Sequence, residues 1–536
     1  MTFRILVTDG IDREGIDLLH AVPEFIVDEL PTLPAGDLLA QIGDYDAIVG
    51  RSATKISEPL LRAGRRLKVI GRAGVGVDNV AIDTATQLGI AVINAPAGNT
   101  VAVAELWFGV MLSLLRHLPQ AAASMQAGRW ERDRFLGTEL KGRTLGVVGL
   151  GRIGGEITTR ARAFGMKVLG YDPYVSEERF LALGAGRITT LGGLCDAADI
   201  LTVHTPLTDE TRGLIGAAEL ARLRPGSIVA NLARGGIVDD EALREALERG
   251  HLRGAALDVY TSEPLKGDHP WRGLDQAILT PHIGASTAEA QRNVAVDACE
   301  AVRDALLRGD LSRSLNVNLP AGDWALLKPT VDLARRCAGV ARTLLADRGA
   351  RAIESITLKR GGDLGSAGTT LLAAAALGAL DGVMDESRLN LINARAVATS
   401  RGIALGIAED AAPSHARAVE VRIVADGQEI RIGGVAPLDA LPRFTQVGPF
   451  HVDVAPKETL IVLTNRDVPG VIGHVGTALA EAGVNIAEYH QARLQAGGEA
   501  LAVIAVDGPG EPGLRDVLLR IPDVQAASVI HFRADD

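Results

Sequence analysis

The chain has 536 residues, which at the usual domain size predicts about three to four domains. Hydrophobic residues make up 47% and charged residues 23%, as in an ordinary folded protein. A net charge of −11 and an aromatic content of only 3% exclude the overall basic field and stacking surfaces typical of nucleic-acid-binding proteins.

Cysteine content and the N-terminus indicate the compartment. Cys195, Cys299 and Cys337 are too few and too scattered for a disulfide framework or a zinc site, so we expect buried free thiols and no metal. The first ten residues include Arg4 and Asp9, unlike a signal peptide, and the apolar run at 368–380 is too short to span a bilayer. We therefore expect a soluble, cytoplasmic protein.

The first part of the chain alternates β-rich runs with amphipathic stretches. RILVTD, DAIVG, KVIGRAG and AVINAP are typical of parallel strands, which predicts an α/β unit up to about residue 97. A long helix is predicted over TVAVAELWFGVMLSLLRHL (100–118). Its apolar residues exceed one face, so we expect much of it to be buried against another domain or subunit.

A second doubly wound parallel sheet is predicted from residue 144 onward. TLGVVGLGRIGGEITTRARAFGMKVLGYD indicates strand, glycine turn, helix and strand, and DILTVHTP, SIVANLARGG, GAALDV and AILTPH indicate further strands. The helix at 286–309 then leads to a domain boundary near Leu315 to Trp324.

Two further units follow. Residues 325–450 are rich in Ala and Gly and contain no charged motif that indicates chemistry. The stretch VGPFHVDVAPKE (447–458) is interpreted as a second linker. About the last 80 residues have the pattern βαββαβ, which is typical of a small α+β domain.

Gly149, Gly151 and Gly154 form a G-x-G-x-x-G turn between a predicted strand and a predicted helix. Such glycines permit a tight turn, close approach of a pyrophosphate and close helix packing. Asp172 ends the next strand, where a carboxylate accepts hydrogen bonds from ribose hydroxyls and repels a 2′-phosphate. The pattern predicts NAD rather than NADP, against the plainer reading of a glycine turn with no ligand.

The carboxyl ends of the predicted strands carry the candidate catalytic residues. Arg234 can clamp a carboxylate, His282 can take a hydroxyl proton, and Glu263 can hold the other imidazole nitrogen. Each residue alone has an ordinary structural explanation, but together beside a dinucleotide turn they favour hydride transfer on a 2-hydroxy acid. His204 is the competing base, and we interpret it as a packing residue.

Four blocks resemble the D-isomer-specific 2-hydroxyacid dehydrogenases: GLGRIG (149–154), NLARGGIVD (231–239), GAALDVYTSEP (254–264) and PHIGAST (281–287). Within that superfamily, GRSATKI (50–56), GRAGVGVDNV (71–80) and WERDRFLGTEL (130–140) resemble the long-form D-3-phosphoglycerate dehydrogenases.

The resemblance implies roles for particular residues. The catalytic residues would be Arg234, Glu263 and His282. The NAD site would comprise the three turn glycines and the following residues: Val75, Arg152, Ile153, Asp172, Thr205, Leu232, Ala233, Arg234, Asp258, His282, Gly284 and Ala285.

The resemblance also implies the domain organisation. The domains would be a discontinuous substrate domain (1–97 and 285–315), a Rossmann domain for NAD (98–284), an intervening α+β domain (325–450) and an ACT domain (458–536). The implied reaction is oxidation of 3-phospho-D-glycerate to 3-phosphooxypyruvate, which opens L-serine biosynthesis. The two first domains would be Rossmann- or flavodoxin-like.

A phosphorylated hydroxy acid carries about three negative charges, so Arg234 cannot suffice alone. Arg51, Ser52, Arg72 and the backbone at Gly74 lie at predicted strand ends of the first domain and complete the candidate substrate site with Arg234 and His282. Lys55, and across a dimer contact Arg132 and Arg134, are weaker candidates; each is also explained as a solvated surface charge.

The tail resembles an ACT domain, a module that commonly binds amino acids between subunits. Asp467 and Asn485 match its ligand loop and the strand that follows, which implies L-serine as a possible effector. Asn465 is the third candidate effector residue, although it stands where relatives often carry a larger His or Tyr. A domain that serves only assembly is the alternative. The resemblance further implies a homo-oligomer, a dimer of dimers, without nucleic-acid or membrane partners.

Two other functions stay open. A glyoxylate/hydroxypyruvate reductase or another D-2-hydroxyacid reductase would share this scaffold. An NAD-responsive binding protein, like the corepressors built on the fold, would keep the same three catalytic residues, although the predicted ACT domain favours an enzyme.

Overall fold

The computed structural model describes residues 2–317, 324–381, 389–408, 415–508 and 513–532. Part of the predicted boundary near Leu315 to Trp324, residues 318–323, lies outside the described residues. Four separate β-sheets organise the described chain. The α/β class predicted from sequence, with two parallel sheets followed by two α+β units, is confirmed.

The first sheet has five parallel strands in the order β2-β1-β3-β4-β5, a flavodoxin-like arrangement. Its strands are β1 (Phe3–Val7), β2 (Phe25–Glu29), β3 (Ala47–Gly50), β4 (Val69–Arg72) and β5 (Ala91–Asn94). The helices between them are α1 (Arg13–His20), α2 (Ala35–Gln41), α3 (Glu58–Ala63) and α4 (Ile82–Gln87), with a 3-10 turn at Ile42–Asp44.

A helix from much later in the chain completes this unit. It is α12 (Ala288–Arg308), which starts at the Thr287 cap and contributes Val294, Ala298 and Val302 to the core under the first sheet. A Cβ atom at Gly15 of α1 would lie 2.7 Å from the backbone of Ala295, so these two helices approach too closely for any larger residue.

The second sheet has seven parallel strands in the order β12-β11-β10-β9-β6-β7-β8. They are β6 (Thr144–Val148), β7 (Lys167–Tyr171), β8 (Gly186–Arg187), β9 (Ile200–Val203), β10 (Ser227–Asn231), β11 (Leu252–Leu257) and β12 (Ala277–Leu279). Strand order reverses between β6 and β9, and ligands of doubly wound folds bind at the crevice beyond such a reversal.

Helices cover both faces of this sheet. They are α5 (Thr100–Leu115), α6 (Leu118–Gln126), α7 (Arg152–Ala163), α8 (Glu177–Leu183), α9 (Leu191–Ala197), α10 (Ala217–Arg222) and α11 (Asp240–Glu248), with a 3-10 turn at Arg132–Phe135. The single helix predicted over 100–118 is wrong at its end. His117 adopts a left-handed conformation with φ of 54°, and Pro119 opens the separate helix α6.

The third sheet is mixed, in the order β14-β13-β15-β16-β17-β18. Its strands are β13 (Ile353–Arg360), β14 (Ala404–Ile407), β15 (Ala418–Ala425), β16 (Gln428–Val435), β17 (Arg443–Val447) and β18 (Phe450–Val454). Helices α13 (Trp324–Asp347), α14 (Gly368–Leu380) and α15 (Ala394–Ser400) accompany it, with a 3-10 turn at Gly362–Ala367.

The interpretation of 447–458 as a linker is wrong. Phe450–Val454 forms β18, which pairs antiparallel with β17 and buries Phe450, Val452 and Val454. The alternation of these residues with polar ones is the period-two pattern of a half-buried strand, masked in the sequence by Pro449 and Pro456 on either side.

The fourth sheet is antiparallel in the order β20-β21-β19-β22. The βαββαβ prediction for the tail is confirmed, by β19 (Thr459–Arg466), α16 (Val471–Glu481), β20 (Ile486–Arg493), β21 (Glu499–Val506), α17 (Leu514–Leu519) and β22 (Val524–His531). One face packs against α16 and α17, and the other joins the core of the third sheet.

The described residues contain one helical segment, Gly362–Leu380, that has the length and hydropathy of a membrane span, and the bent pair α5 and α6 passes the same test jointly. The share of the Gly362–Leu380 window that is buried inside the protein is 78%, as for a core helix. The three cysteines are free and buried, as expected, and burial raises the pKa of the Cys195 thiol to about 11.

Candidate active site

The glycine turn after β6 faces the crevice where strand order reverses. Gly149 has φ of 91°, and a Cβ atom there would lie 2.6 Å from the His204 carbonyl oxygen. A Cβ atom at Gly154 would lie 2.0 Å from the Gly149 carbonyl oxygen, whereas one at Gly151 would meet no atom within 4 Å. Two glycines are thus required by packing, while Gly151 borders open space, as close approach of a pyrophosphate demands.

Side chains around this turn fit a dinucleotide. Asp172 follows β7 and accepts hydrogen bonds from the backbone N–H of Leu150 at 2.8 Å and of Tyr174 at 2.9 Å. The hydroxyl oxygen of Thr205, beside Gly149, is buried and has no hydrogen-bond partner among the described residues. An unpaired buried hydroxyl costs free energy unless a ligand or water satisfies it, and a cofactor bound at the turn would supply that partner.

The other predicted cofactor residues lie at the same edge of the second sheet. Arg152 and Ile153 open α7, and Leu232 and Ala233 follow β10. Val75 reaches the crevice from the first sheet, where its carbonyl oxygen accepts a hydrogen bond from Asn94 at 2.6 Å. Their contact with NAD stays a prediction.

His282 and Glu263 form a hydrogen-bonded pair. The Nδ1 atom of His282 lies 2.6 Å from Oε2 of Glu263, while Oε1 of Glu263 accepts the backbone N–H of Tyr260 at 2.9 Å. Because a carboxylate can only accept, Nδ1 is the protonated nitrogen and Nε2 keeps its lone pair. The imidazole is 48% exposed, so Nε2 is accessible to a substrate hydroxyl.

Asp258 holds the loop that carries His282. Its carboxylate is 1% exposed and accepts hydrogen bonds from the Thr280 hydroxyl at 2.6 Å and from the N–H groups of Ile283 and Gly284 at 2.8 Å each. His282 itself has φ of 54°, an unfavourable conformation that this anchoring sustains. The carbonyl oxygen of Ala285, just beyond, accepts from Gln291 at 2.5 Å.

His204 is unsuited to be the base. Burial lowers its pKa to about 3, so the ring is neutral, and its Nε2 lies 2.8 Å from the Thr202 hydroxyl, which also accepts from Trp107. The interpretation of His204 as a packing residue is consistent with these contacts.

Arg234 extends from the second sheet toward the first. Its Nε donates to Asp78 at 3.1 Å, and its Nη1 donates to the Ala233 carbonyl at 2.7 Å. Asn231 fixes the turn by donating to the Arg234 carbonyl at 2.8 Å. A Cβ atom at Gly76 would lie 1.9 Å from Nη2 of Arg234, so the guanidinium crosses directly over the glycine backbone.

Arg72 lies close to Arg234 and Arg51. Desolvation, followed by repulsion from Arg234 and then Arg51, lowers the pKa of Arg72 to about 10. Its Nη1 donates to the Ala73 carbonyl at 2.7 Å, but its Nε is buried and finds no hydrogen-bond partner in the part of the chain that the structure describes. The backbone of Gly74 fits under this guanidinium, since a Cβ atom there would lie 1.8 Å from Nη1. We call Arg51, Arg72 and Arg234 the cleft arginines. Among the described residues only Arg234 has a carboxylate partner, Asp78, so the group keeps a net positive charge, as an anion site requires.

Asp9 anchors the loop that carries Arg51. Its carboxylate accepts the backbone N–H of Arg51 at 2.8 Å and the hydroxyls of Thr54 at 2.6 Å and Thr32 at 2.8 Å. Burial acts to raise the pKa of Asp9, but these hydrogen bonds outweigh burial and lower the pKa. Ser52, on the same loop, is exposed.

Sequence reasoning missed Asp78, Asp9 and Asn231 as residues that position the site. Asp78 lies within the quoted block GRAGVGVDNV, so the block indicated its region but not its bond to Arg234, 156 residues away. Arg132 and Arg134 lie exposed on a 3-10 turn, and Arg134 approaches Glu131 at 3.6 Å. Their role at a dimer contact stays a prediction.

The three predicted effector residues have separate partners. Asp467 accepts the backbone N–H of Gly497 at 3.0 Å and a hydrogen bond from Arg493 at 2.9 Å, and these two bonds lower its pKa. Asn485 donates to Asp507 at 2.7 Å. Asn465 is 1% exposed and donates to the Arg466 carbonyl at 2.6 Å.

Comparison with known proteins places the chain in a family. The model of the D-isomer specific 2-hydroxyacid dehydrogenase NAD binding domain matches residues 108–284, that of the D-3-phosphoglycerate dehydrogenase intervening domain matches 326–448, and that of the ACT domain matches 459–523. D-3-phosphoglycerate dehydrogenase of Methanocaldococcus jannaschii is 37% identical, over 99% of this chain and 100% of that relative. The chain belongs to the D-3-phosphoglycerate dehydrogenase family.

Other members of the D-3-phosphoglycerate dehydrogenase family agree with this assignment. The enzyme of that name from Bacillus subtilis is 38% identical, over 98% of this chain and 99% of the relative. The structure of NAD+-bound 3-phosphoglycerate dehydrogenase from Entamoeba histolytica matches with a TM-score of 0.50 and 28% identity, over 59% of this chain and 99% of that one. The chain is an NAD-dependent oxidoreductase, as expected from the glycine turn.

Proposed function

We propose that this protein oxidises 3-phospho-D-glycerate to 3-phosphooxypyruvate, the reaction that opens L-serine biosynthesis. The observation that carries the proposal is the juxtaposition of the cleft arginines with the His282–Glu263 pair. A hydroxy acid with a carboxylate and a phosphate needs several cations and one base, and this crevice offers both.

The base is His282. Its Nε2 accepts the proton of the substrate hydroxyl, while Glu263 holds Nδ1–H and stabilises the imidazolium that forms. When bound, NAD supplies the acceptor for the hydride, which leaves the carbon atom that carries this hydroxyl group. In the reverse direction the imidazolium returns its proton to the carbonyl oxygen, so one side chain serves both directions.

The cleft arginines divide the substrate's charge. Arg234 has Nε and one Nη1 proton occupied within the protein, which leaves its Nη2 edge for the carboxylate next to the reacting carbon. Arg72, whose Nε has no partner among the described residues, and Arg51 extend from the first sheet and would take the phosphate. Asp78 keeps the Arg234 fork oriented across the crevice.

The test is a substrate panel. The purified chain is mixed with NAD and 3-phospho-D-glycerate, D-glycerate or D-lactate while NADH absorbance is followed, and the reverse direction is tried with glyoxylate and hydroxypyruvate. The proposal expects the highest kcat/KM for 3-phospho-D-glycerate. Turnover confined to unphosphorylated acids would identify a glyoxylate/hydroxypyruvate or other 2-hydroxyacid reductase instead.

For the last domain we propose an amino-acid effector, with L-serine as the first compound to test. Asp467 precedes α16 in the chain and Asn485 follows it, and they present an anion and an amide, groups that match an α-ammonium and a carboxylate. Calorimetric titration of L-serine into wild type and Asp467→Asn checks this: heat in the wild type and a weaker signal in the variant support it. Absence of heat in the wild type means a domain that serves assembly alone.

We also propose a homo-oligomer, a dimer of dimers in the cytoplasm. Trp130 and Leu136, on either side of the 3-10 turn at Arg132–Phe135, are 81% and 86% exposed, and large apolar side chains of this kind are typical of subunit contacts. Light scattering checks the mass: a tetramer is expected, and a stable monomer in the wild type contradicts the proposal.

A further inference from the structure

The glycine turn after β6 continues into a further glycine that the dinucleotide pattern does not require. Gly155 follows Gly154 in the first turn of α7 and is buried. Glycine destabilises a helix relative to alanine, because its backbone loses more conformational freedom on folding. A glycine at this position therefore needs a reason in the surrounding structure.

That reason is the side chain of Arg179, which lies on α8. A Cβ atom at Gly155 would lie 2.7 Å from Nη2 of Arg179, closer than side chains approach one another. The next neighbour, a methyl group of Leu183, would be 3.4 Å away, which is an ordinary contact. The space that a side chain at Gly155 would fill is thus occupied by the guanidinium group of Arg179.

Arg179 donates hydrogen bonds to two successive carbonyl groups of the glycine turn. Its Nη2 lies 3.2 Å from the carbonyl oxygen of Gly151, and its Nε lies 3.4 Å from that of Leu150. In the part of the chain that the structure describes, these two carbonyl groups are its hydrogen-bond acceptors. The guanidinium group is therefore directed at the turn.

These two bonds fix the direction of the N–H groups of the turn. A trans peptide unit is planar, and its C=O and N–H bonds point in opposite directions. Because the carbonyl groups of Leu150 and Gly151 point towards Arg179, the N–H groups of Gly151 and Arg152 point away from it. Gly151 borders open space, and Arg152 opens α7, so these N–H groups face the place that a pyrophosphate takes at a helix N-terminus.

Arg179 acts from a fixed support. Phe180, the next residue, is buried and belongs to the same hydrophobic core as Leu150 and Ile157. The N–H group of Leu150 donates to Asp172, so the peptide chain at Leu150 is held by Asp172 through its nitrogen and by Arg179 through its oxygen. The turn is thus held in one orientation by side chains of this protein.

We propose that Arg179 is a positioning residue for NAD. It holds the two peptide units between Leu150 and Arg152 with their N–H groups towards the pyrophosphate, and residue 155 is glycine because the guanidinium group needs its space. The planar fork of arginine suits this task, since two nitrogen atoms engage two carbonyl groups. Arg179 bonds to the turn and not to the reacting atoms, so its effect is on cofactor binding and not on hydride transfer.

Gly155→Ala tests this role without removing the arginine. The added Cβ atom displaces the guanidinium group, which is the end of a flexible side chain, while alanine favours the helix. We expect the dissociation constant of NADH, measured by fluorescence titration without substrate, to rise about three- to tenfold, the range for one hydrogen bond. The melting temperature should be equal to that of the wild type or higher. Unchanged NADH affinity would overturn the proposal.

Arg179→Gln is the second variant, and it should weaken NADH binding by a similar factor. Combining it with Gly155→Ala should cause no further loss, because both changes act on the same contact. In steady-state assays KM for NAD should rise, while kcat and KM for the hydroxy-acid substrate stay unchanged. Fully additive losses in the double variant, or a fall in kcat with KM for NAD unchanged, would contradict the proposal.

Arg179→Lys separates the fork from the charge. Lysine keeps the positive charge but lacks the planar fork, so it should recover only part of the NADH affinity. Complete recovery would show that charge alone is needed and would overturn the positioning role. Arg249→Gln is the matched control, since Arg249 is exposed at the end of α11 and approaches Glu245. It should bind NADH as tightly as the wild type.

Discussion

The cleft arginines and three arginines of α13, namely Arg335, Arg336 and Arg342, are two groups of guanidinium side chains in one molecule, and they are built in opposite ways. Arg51, Arg72 and Arg234 come from strand ends of two different sheets. Of the three, Arg234 alone forms an ion pair with a described residue, Asp78. Arg335, Arg336 and Arg342 come from a single helix and lie among Asp332, Asp347 and Asp381. The first group is positive because distant segments bring three arginines together. In the second group Arg335 pairs with Asp381, whereas Asp332 pairs with Lys328 and Asp347 accepts a hydrogen bond from Ser528.

The comparison teaches that the number of arginines in a cluster does not identify an anion site. What indicates one is a guanidinium group that lacks a carboxylate or hydrogen-bond partner within the protein. In the cleft, the pKa of Arg72 falls to about 10 because burial and two neighbouring guanidinium groups oppose its charge. On α13, the Nε of Arg342 is buried and has no hydrogen-bond partner among the described residues.

His282→Gln should lower kcat by about 10²–10⁴-fold, the usual contribution of a general base, because an amide cannot take the hydroxyl proton. NAD binding, followed by fluorescence, should be retained. His451→Gln, an exposed histidine on β18, is the matched control and should leave kcat unchanged. Full activity in His282→Gln would remove this residue from the proton transfer.

Arg72→Gln should lower kcat/KM for 3-phospho-D-glycerate by about 10- to 150-fold, the equivalent of one charged hydrogen bond of about 1.5–3 kcal/mol. Its effect on D-glycerate should be several times smaller, since that substrate lacks the phosphate. Arg65→Gln, an exposed arginine of the same domain, serves as the control. Equal losses on both substrates would contradict the assignment of Arg72 to the phosphate.

The pH dependence of kcat/KM should also reveal the role of Arg72. The lowered pKa means that Arg72 in the free enzyme loses its proton as pH rises through about 10, and the substrate anion needs the protonated form. The value of kcat/KM for the phosphorylated substrate should therefore fall by up to tenfold per pH unit above that point. An unchanged alkaline limb in Arg72→Gln would show that another group causes it.

Asp78→Asn should raise KM about fivefold with little change in kcat, because an exposed ion pair contributes at most about 1 kcal/mol to the orientation of Arg234. Asp83→Asn, an exposed acid on the same segment, is the control. Asp78→Glu should restore part of the affinity, since the longer carboxylate can still reach Nε. A fall in kcat without a change in KM would contradict a positioning role.

Local patterns made most of the fold predictable from sequence. The period-two and helical patterns indicated both parallel sheets and the βαββαβ tail, and the glycine turn indicated its ligand because each glycine has a backbone reason that can be read from local sequence. The failures have physical causes too. The left-handed conformation just after α5 is adopted by His117 and not by a glycine, so the sequence does not indicate the break. The prolines on either side of β18 give that stretch the composition of a linker.

In the candidate site, the predictable residues were those that lie at or near the end of a predicted strand. His282, Glu263 and Arg234 each follow or adjoin a strand end, so sheet topology alone brings them to one edge. Asp78 and Asp9 act through hydrogen bonds to residues far away in the chain, which no local pattern reveals.

The most direct test of the account is the ratio of kcat/KM for 3-phospho-D-glycerate to kcat/KM for D-glycerate in the wild-type protein with NAD. Two arginines committed to the phosphate, at about 1.5–3 kcal/mol each, predict a ratio of at least about 100. A ratio near one would contradict the claim that the cleft arginines select a phosphorylated hydroxy acid.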